Sequence, residues 1–182
     1  FRAACAARGF DAPRGIHAQA HSEIPIGRGL GSSAAATVAG AAAANALLTL
    51  ELDDRTLLRV CSTIEGHADN VAPAIVGGAC LVVNAEAPFV APLAVHSGLA
   101  LVFAIPEFAI ETALARRILP SHVPHATAAR GAAHAAALVR GLETADGALL
   151  STGLNDVLHV PFRETLVPGF AAVVDAAQRT GA

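Results

Sequence analysis

Gly27, Gly29 and Gly31 alternate directly before Ser32 and Ser33. Glycine lets a backbone approach an anion closely and take positive φ. The first N–H groups of a helix lack intrahelical partners and carry about half a positive charge. If a helix opens at Ser32, the segment is an anion site flanked by two hydroxyls. Those hydroxyls can cap the helix or reach a phosphate and its metal. The same spacing also suits a tight turn packed under an alanine-rich helix. No Lys-[Ser/Thr] pair follows the last glycine, so the loop is not a Walker A loop. Gly-x-Ser-x-Gly is absent, which excludes a nucleophile elbow, and the spacing is not that of a dinucleotide fold.

A second cluster sets a carboxylate, an imidazole, another carboxylate and an amide within six residues: Glu65, His67, Asp69 and Asn70. Such a set can bind a metal or a polar ligand; it can equally be a solvated, hydrogen-bonded loop. Farther along, Thr112 and Arg116 stand four apart, on one face of a helix. Arg163 follows Pro161 in Asn155-Asp-Val-Leu-His-Val-Pro-Phe-Arg163. Each arginine alone reads as a surface charge or as a clamp for an anion.

The elements that would position these residues follow from pattern. Residues 1–10 read as the tail of a helix. Gly15 to Ser22 alternates and predicts a strand. The glycine loop opens into an alanine-rich helix over 32–50. Asp53 or Asp54 caps a second helix over 54–65. Glu65 to Pro73 is a polar loop, followed by a helical turn, Gly77-Gly78 and a strand from Ala79 to Asn84. Pro88 to Gly98 reads as a linker, and Leu99 to Ile105 as a strand ending at Pro106. Helices are expected at about 109–117, 124–143, 145–154 and 168–180.

The bulk of the 182-residue chain narrows the classes. At 54% hydrophobic and 15% charged it can bury a core. Twelve Lys+Arg against fifteen Asp+Glu leave a formal charge of -3, with no basic surplus for a nucleic-acid backbone. Cys5, Cys61 and Cys80 form no CxxC pair, which argues against a disulfide framework or zinc knuckle and for a cytoplasmic setting. Phe1 to Gly9 has no apolar signal-peptide core. The run Ala34 to Leu50 is mostly alanine and falls short of the roughly 20 strongly apolar residues of a membrane span.

The longer strings carry a resemblance. Pro25-Ile26-Gly27-Arg28-Gly29-Leu30-Gly31-Ser32-Ser33-Ala34-Ala35 resembles the phosphate-binding motif of GHMP kinases, Pro-x-x-x-Gly-Leu-Gly-Ser-Ser-Ala. Glu65-Gly-His67-Ala-Asp69-Asn70-Val-Ala-Pro73 looks like the signature of the homoserine kinases within that superfamily. Glu111-Thr112-Ala-Leu-Ala-Arg116 and Asp156-Val-Leu-His-Val-Pro-Phe-Arg163 are similar to two further segments of those enzymes, with Glu111 where a small residue is usual.

The resemblance implies an ATP-dependent phosphotransferase that acts on L-homoserine in threonine biosynthesis. Residues 25–35 would bind ATP, and Ser33 and Glu65 would ligate Mg²⁺. Glu65 and Asn70 would serve catalysis, with Asn70 near the reacting hydroxyl. His67 and Asp69 would contact the amino acid, while Thr112, Arg116 and Arg163 would hold its carboxylate. The alternatives are another GHMP kinase, for mevalonate or a sugar, or a non-catalytic fragment that binds nucleotide. The partners implied are homoserine, ATP and a second copy in a homodimer, without nucleic acid or membrane. The implied fold is α+β: a ribosomal-S5-domain-2-like part over 1–90 and a ferredoxin-like part over 91–182. The family's first strands, with their Pro-Ala-Ser/Thr-x-Asn-Leu-Gly-Pro-Gly-Phe-Asp motif, and its last Gly-x-Gly-Pro-Ser/Thr loop are expected outside these residues.

Overall fold

Alanine dominates the first long helix, and its small side chains let other helices approach closely. The structure, a computed structural model, describes residues 1–83 and 88–181, apart from the side chains of Thr112 and Ala113. It divides into two units, Phe1–Leu93 and Ala94–Ala182.

In the first unit α1 (Arg2–Ala6), α2 (Ser32–Leu48), α3 (Asp54–Glu65) and α4 (Val71–Val76) pack together, followed by a hairpin. The α2 face Ala34, Val38, Ala41 and Ala44 is buried, at helical spacing. It meets Leu57, Leu58 and Cys61 of α3, and Val71 and Ala72 of α4, in one core. The turn between α2 and α3 is locked by Asn45. Its amide donates to the Leu52 carbonyl at 3.0 Å and accepts from the Leu52 N–H at 2.9 Å. That lock holds Thr49 and Glu51 at positive φ, which non-glycine residues rarely adopt. Asp53 caps α3 by accepting the Thr56 N–H at 2.8 Å. Hydrogen bonding from the Thr56 side chain, and then from its N–H, holds the Asp53 carboxyl below its ordinary pKa.

β1 (Ala79–Val83) pairs antiparallel with β2 (Phe89–Leu93), Ala79 opposite Leu93 and Val83 opposite Phe89. Val82 and Val90 face each other across the hairpin and pack on the helical core. β2 replaces the linker expected over Pro88 to Gly98. Proline misled the reading, because Pro92 is tolerated where a strand has a free edge. Asn84, the expected end of the first strand, lies outside the described residues.

The second unit contains α5 (Thr112–Arg117), α6 (His125–Thr144), α7 (Gly147–Leu154), α8 (Val160–Arg163), a 3₁₀ turn at Glu164–Leu166 and α9 (Phe170–Arg179). α6 and α7 meet through glycine. A Cβ on Gly153 would lie 2.5 Å from the Leu138 Cα, and one on Gly141 would lie 2.9 Å from the Leu150 N. Asp146 caps α7 through the N–H groups of Ala148 and Leu149.

Two expected strands do not form. Residues 15–22 and 99–105 take no strand conformation. An alternating or apolar run becomes a strand only when a neighbour completes its hydrogen-bond ladder. Among the described residues neither run has such a neighbour; Leu101, Val102 and Phe103 stay exposed. Among the described residues no helix is long and apolar enough to cross a membrane.

Candidate active site

The glycine loop meets the start of α2 with Gly27, Gly29 and Gly31 all at positive φ, between 71° and 79°. Gly31 itself is the N-cap, in the left-handed region. No side chain caps this helix, so neither serine takes the capping role that the sequence allowed. The physical reason lies across the fold: the Ser33 hydroxyl is engaged elsewhere, donating to Glu65 Oε2 at 2.8 Å. The first N–H groups of α2 are therefore without a side-chain cap, as an anion site requires.

Glu65 is the last residue of α3, and Gly66 ends that helix at φ 77°. A carboxylate at a helix C-terminus faces the negative end of the dipole, and no basic residue stands in the last turn. Two hydroxyls offset this: Ser33 on Oε2, and Thr37 on Oε1 at 2.6 Å. Thr37 was missed by sequence reasoning. Its signal was there, since it lies one helical turn after Ser33 and so shares its face. Behind it, the Cys61 thiol points at the Thr37 carbonyl at 4.0 Å. Burial, with Glu65 adding to it, pushes that thiol above its ordinary pKa and keeps it neutral.

Asn70 begins α4 and brings the second motif to the first. A Cβ built on Gly31 would sit 3.4 Å from the Asn70 Cβ, Cγ and Oδ1. The Asn70 side chain thus lies over the N-terminus of α2. Its own N–H donates to Asp69 Oδ1 at 2.9 Å. The His67 side chain is 10% exposed and the Asp69 side chain 58%. His67 Nδ1 touches the Asp69 carboxylate, but out of hydrogen-bond alignment, so this buried nitrogen is unsatisfied within the protein. Three helix ends, of α2, α3 and α4, thereby gather Gly31, Ser33, Glu65 and Asn70 in one place.

In the loop itself Pro25, Ile26, Gly27 and Gly29 are exposed, Arg28 and Leu30 half-buried, and Ala34 and Ala35 turn into the helix packing. Ile26 is 85% exposed, so the loop rim is open.

Ser33 and Glu65 fit a hard divalent cation. Octahedral Mg²⁺ holds oxygens at about 2.1 Å, which places adjacent ligands about 3 Å apart. The Ser33 Oγ to Glu65 Oε2 separation of 2.8 Å matches that edge. No group of three or more His, Cys, Asp or Glu forms a metal site among the described residues. A site with few protein ligands is the ordinary Mg²⁺ case, because water and phosphate supply the rest.

The second unit gathers its own residues. Arg163 Nε donates to the Ala115 carbonyl of α5 at 2.8 Å, which sets Arg163 beside the helix of Arg116. Arg116 is exposed; the Thr112 side chain lies outside the described residues. Asp156 organises the approach to α8, accepting the N–H groups of Leu158 and His159 at 2.7 and 3.0 Å. Its other oxygen meets His159 Nδ1 at 3.0 Å. Burial raises the Asp156 pKa, but those two N–H donors and the His159 ring outweigh it and hold the carboxyl below its ordinary value.

Residues 1–78 match the GHMP kinases N terminal domain. The chain is 46% identical over 159 residues to a homoserine kinase of Gloeobacter violaceus, covering 87% of this chain and 53% of that protein. It is 40% identical over 171 residues to a homoserine kinase of Trichormus variabilis, covering 93% of this chain and 57% of that protein. The crystal structure of homoserine kinase from Cytophaga hutchinsonii superposes with a TM-score of 0.77 at 35% identity, covering 88% of this chain and 53% of that one. The chain spans about half the length of the curated relatives it matches. Residues 1–78 thus carry the match to the GHMP kinases N terminal domain, and the chain is similar to homoserine kinases along about half of their length.

Proposed function

We propose that this chain is part of an ATP-dependent homoserine kinase, which transfers the γ-phosphoryl group of ATP to the side-chain hydroxyl of L-homoserine. The observation that carries the reading is the convergence of Gly31, Ser33, Glu65 and Asn70 at the uncapped N-terminus of α2. In the transfer, the bond from Pγ to the oxygen of the leaving ADP breaks. A bond from Pγ to the homoserine oxygen forms, and the hydroxyl proton is released. Residues 25–35 and the α2 N–H groups hold the phosphates. Ser33 and Glu65 would hold Mg²⁺, which would supply neutralisation of phosphate charge.

Asn70 lies over the phosphate end of α2 and orients the acceptor hydroxyl. Asp69, the more exposed partner of His67, attracts the substrate ammonium group. Thr112, Arg116 and Arg163 hold its carboxylate, for which the planar guanidinium is well shaped. No committed base is required, because phosphoryl transfer is accelerated chiefly by positioning and charge stabilisation. On this reading the protein acts in the cytoplasm, in threonine biosynthesis.

ADP release from Mg²⁺–ATP, measured with L-homoserine, mevalonate and galactose on the complete gene product, tests the proposal. Turnover confined to homoserine supports it. Turnover with mevalonate or galactose instead keeps the phosphate loop and overturns the acceptor. Absence of turnover with all three sinks the activity.

A further inference from the structure

Thr37 belongs to neither sequence motif, yet it makes the shorter of the two hydroxyl contacts to Glu65. Ser33 and Thr37 are one turn apart on α2, and each takes one oxygen of a single carboxylate: Ser33 Oε2 at 2.8 Å, Thr37 Oε1 at 2.6 Å. A carboxylate accepts at about four lone-pair sites, so both oxygens keep capacity after these bonds. The terminal torsion of a glutamate is broad. Unrestrained at the end of α3, the carboxylate would sweep across several orientations. Thr37 removes that freedom at Oε1 and leaves Oε2 beside Ser33 Oγ as the pair whose spacing matches two adjacent magnesium ligands.

Thr37 is well placed to hold that role. It is half-buried inside a 17-residue helix, with Cys61 against its carbonyl. A helical threonine often turns its hydroxyl back to a carbonyl of the preceding turn; here Oγ1 reaches across to α3 instead. Ser33 and Thr37 thus hold the Glu65 carboxylate from one face of α2.

We infer that Thr37 is a positioning residue which orients the Glu65 carboxylate for a divalent cation, acting through Glu65 without touching nucleotide or acceptor. The inference rests on Ser33 and Glu65 being the cation ligands. Partners of this kind typically cost about 10–100-fold in metal affinity when removed.

The test uses the complete gene product with Mn²⁺ as a spectroscopic stand-in for Mg²⁺, its affinity read by electron paramagnetic resonance in the presence of ADP. Thr37→Val keeps the side-chain shape and deletes the donor; the Mn²⁺ dissociation constant is expected to rise about 10–100-fold. The Mg²⁺ concentration for half-maximal rate should rise with it, while the KM for the acceptor stays unchanged. Thr37→Ser restores the donor and should return Mn²⁺ affinity close to that of the parent. Unchanged affinity in Thr37→Val, in a parent that binds Mn²⁺–ADP and loses it on Glu65→Gln, overturns the Thr37 inference alone. Equal loss in both Thr37 variants with a lowered unfolding midpoint also overturns it, in favour of a packing role. A parent that does not bind Mn²⁺–ADP, or whose binding survives Glu65→Gln, removes the ligand reading and the inference together.

Discussion

Among the described residues, every buried hydrophobic of the core lies between Ala4 and Ala72, whereas those after Leu93 contribute only Gly141 and Gly153 to the buried set. The first unit is built around packed aliphatic side chains. The second brings two helices together at backbone distance through glycine and leaves an apolar run at 101–103 in solvent. The contrast matches the chemistry proposed for each. Holding a carboxylate, a hydroxyl and an amide within hydrogen-bond tolerance needs supports locked by packing. The helix ends that carry Ser33, Glu65 and Asn70 are anchored in the core by Ala34, Cys61 and Val71. An arginine that captures a carboxylate tolerates a looser support, because its long side chain and full charge act over a greater reach.

The sharpest way to press this comparison is to remove the central carboxylate of the first unit. Glu65→Gln keeps the size but removes the charge, and leaves an acceptor oxygen for only one of the two hydroxyls; kcat/KM for Mg²⁺–ATP is expected to fall about 100-fold. Retained kcat/KM with the parent's magnesium dependence would break the assignment. In the second unit Arg116→Ala should act on substrate binding alone. The KM for homoserine is expected to rise about 10–100-fold, equivalent to about 1.5–3 kcal/mol, with kcat little changed. A steady-state titration of homoserine reads the split, and an unaltered KM would leave Arg116 as a surface charge.

Gly153→Ala asks whether the second unit depends on glycine as the first depends on its core. The new Cβ would meet the Leu138 backbone, so a loss of about 1–3 kcal/mol in unfolding free energy is expected. Denaturant unfolding measures it, and a stability equal to the parent would show that α6 and α7 part easily. The smallest effect belongs to Asp156. Its carboxyl titrates below the usual value in the folded protein, so its contribution is present above the ordinary carboxylate pKa of about 3.9. That contribution is lost as pH falls through the lower folded value. Asp156→Asn should flatten the acid limb of the stability profile below about pH 4, by less than about 1 kcal/mol because the side chain is 34% exposed. An unchanged acid limb would show that the paired N–H donors do not differ in strength between the two forms.

Much of the first unit was legible in the chain. The glycine spacing marked the start of α2, and the Asp53-Asp54 pair marked the start of α3 to within one residue, because caps and periodicity are local signals. The roles of hydroxyls were legible only in part. Ser33 read as a cap or as a hydroxyl for a phosphate and its metal, and the fold sets it against Glu65, 32 residues away; Thr37 drew no role from the sequence. Local rules rank a serine at a helix start as a cap and have no term for what another helix brings to it. Strands were the other failure. Pro88 and Pro92 masked β2, while Leu99 to Ile105 had a strand's composition without a partner.

The sequence by itself determined where the anion loop and the carboxylate–imidazole–amide cluster lie, which segments turn helical, and that no basic surplus awaits a nucleic acid. These depend on residue type and near neighbours. Only the tertiary structure decided that Glu65 sits between Ser33 and Thr37, that Asn70 covers Gly31, and that Arg163 reaches α5. Those contacts join residues 28 to 48 positions apart, and such distances are closed by the packing of helices, which no local pattern encodes.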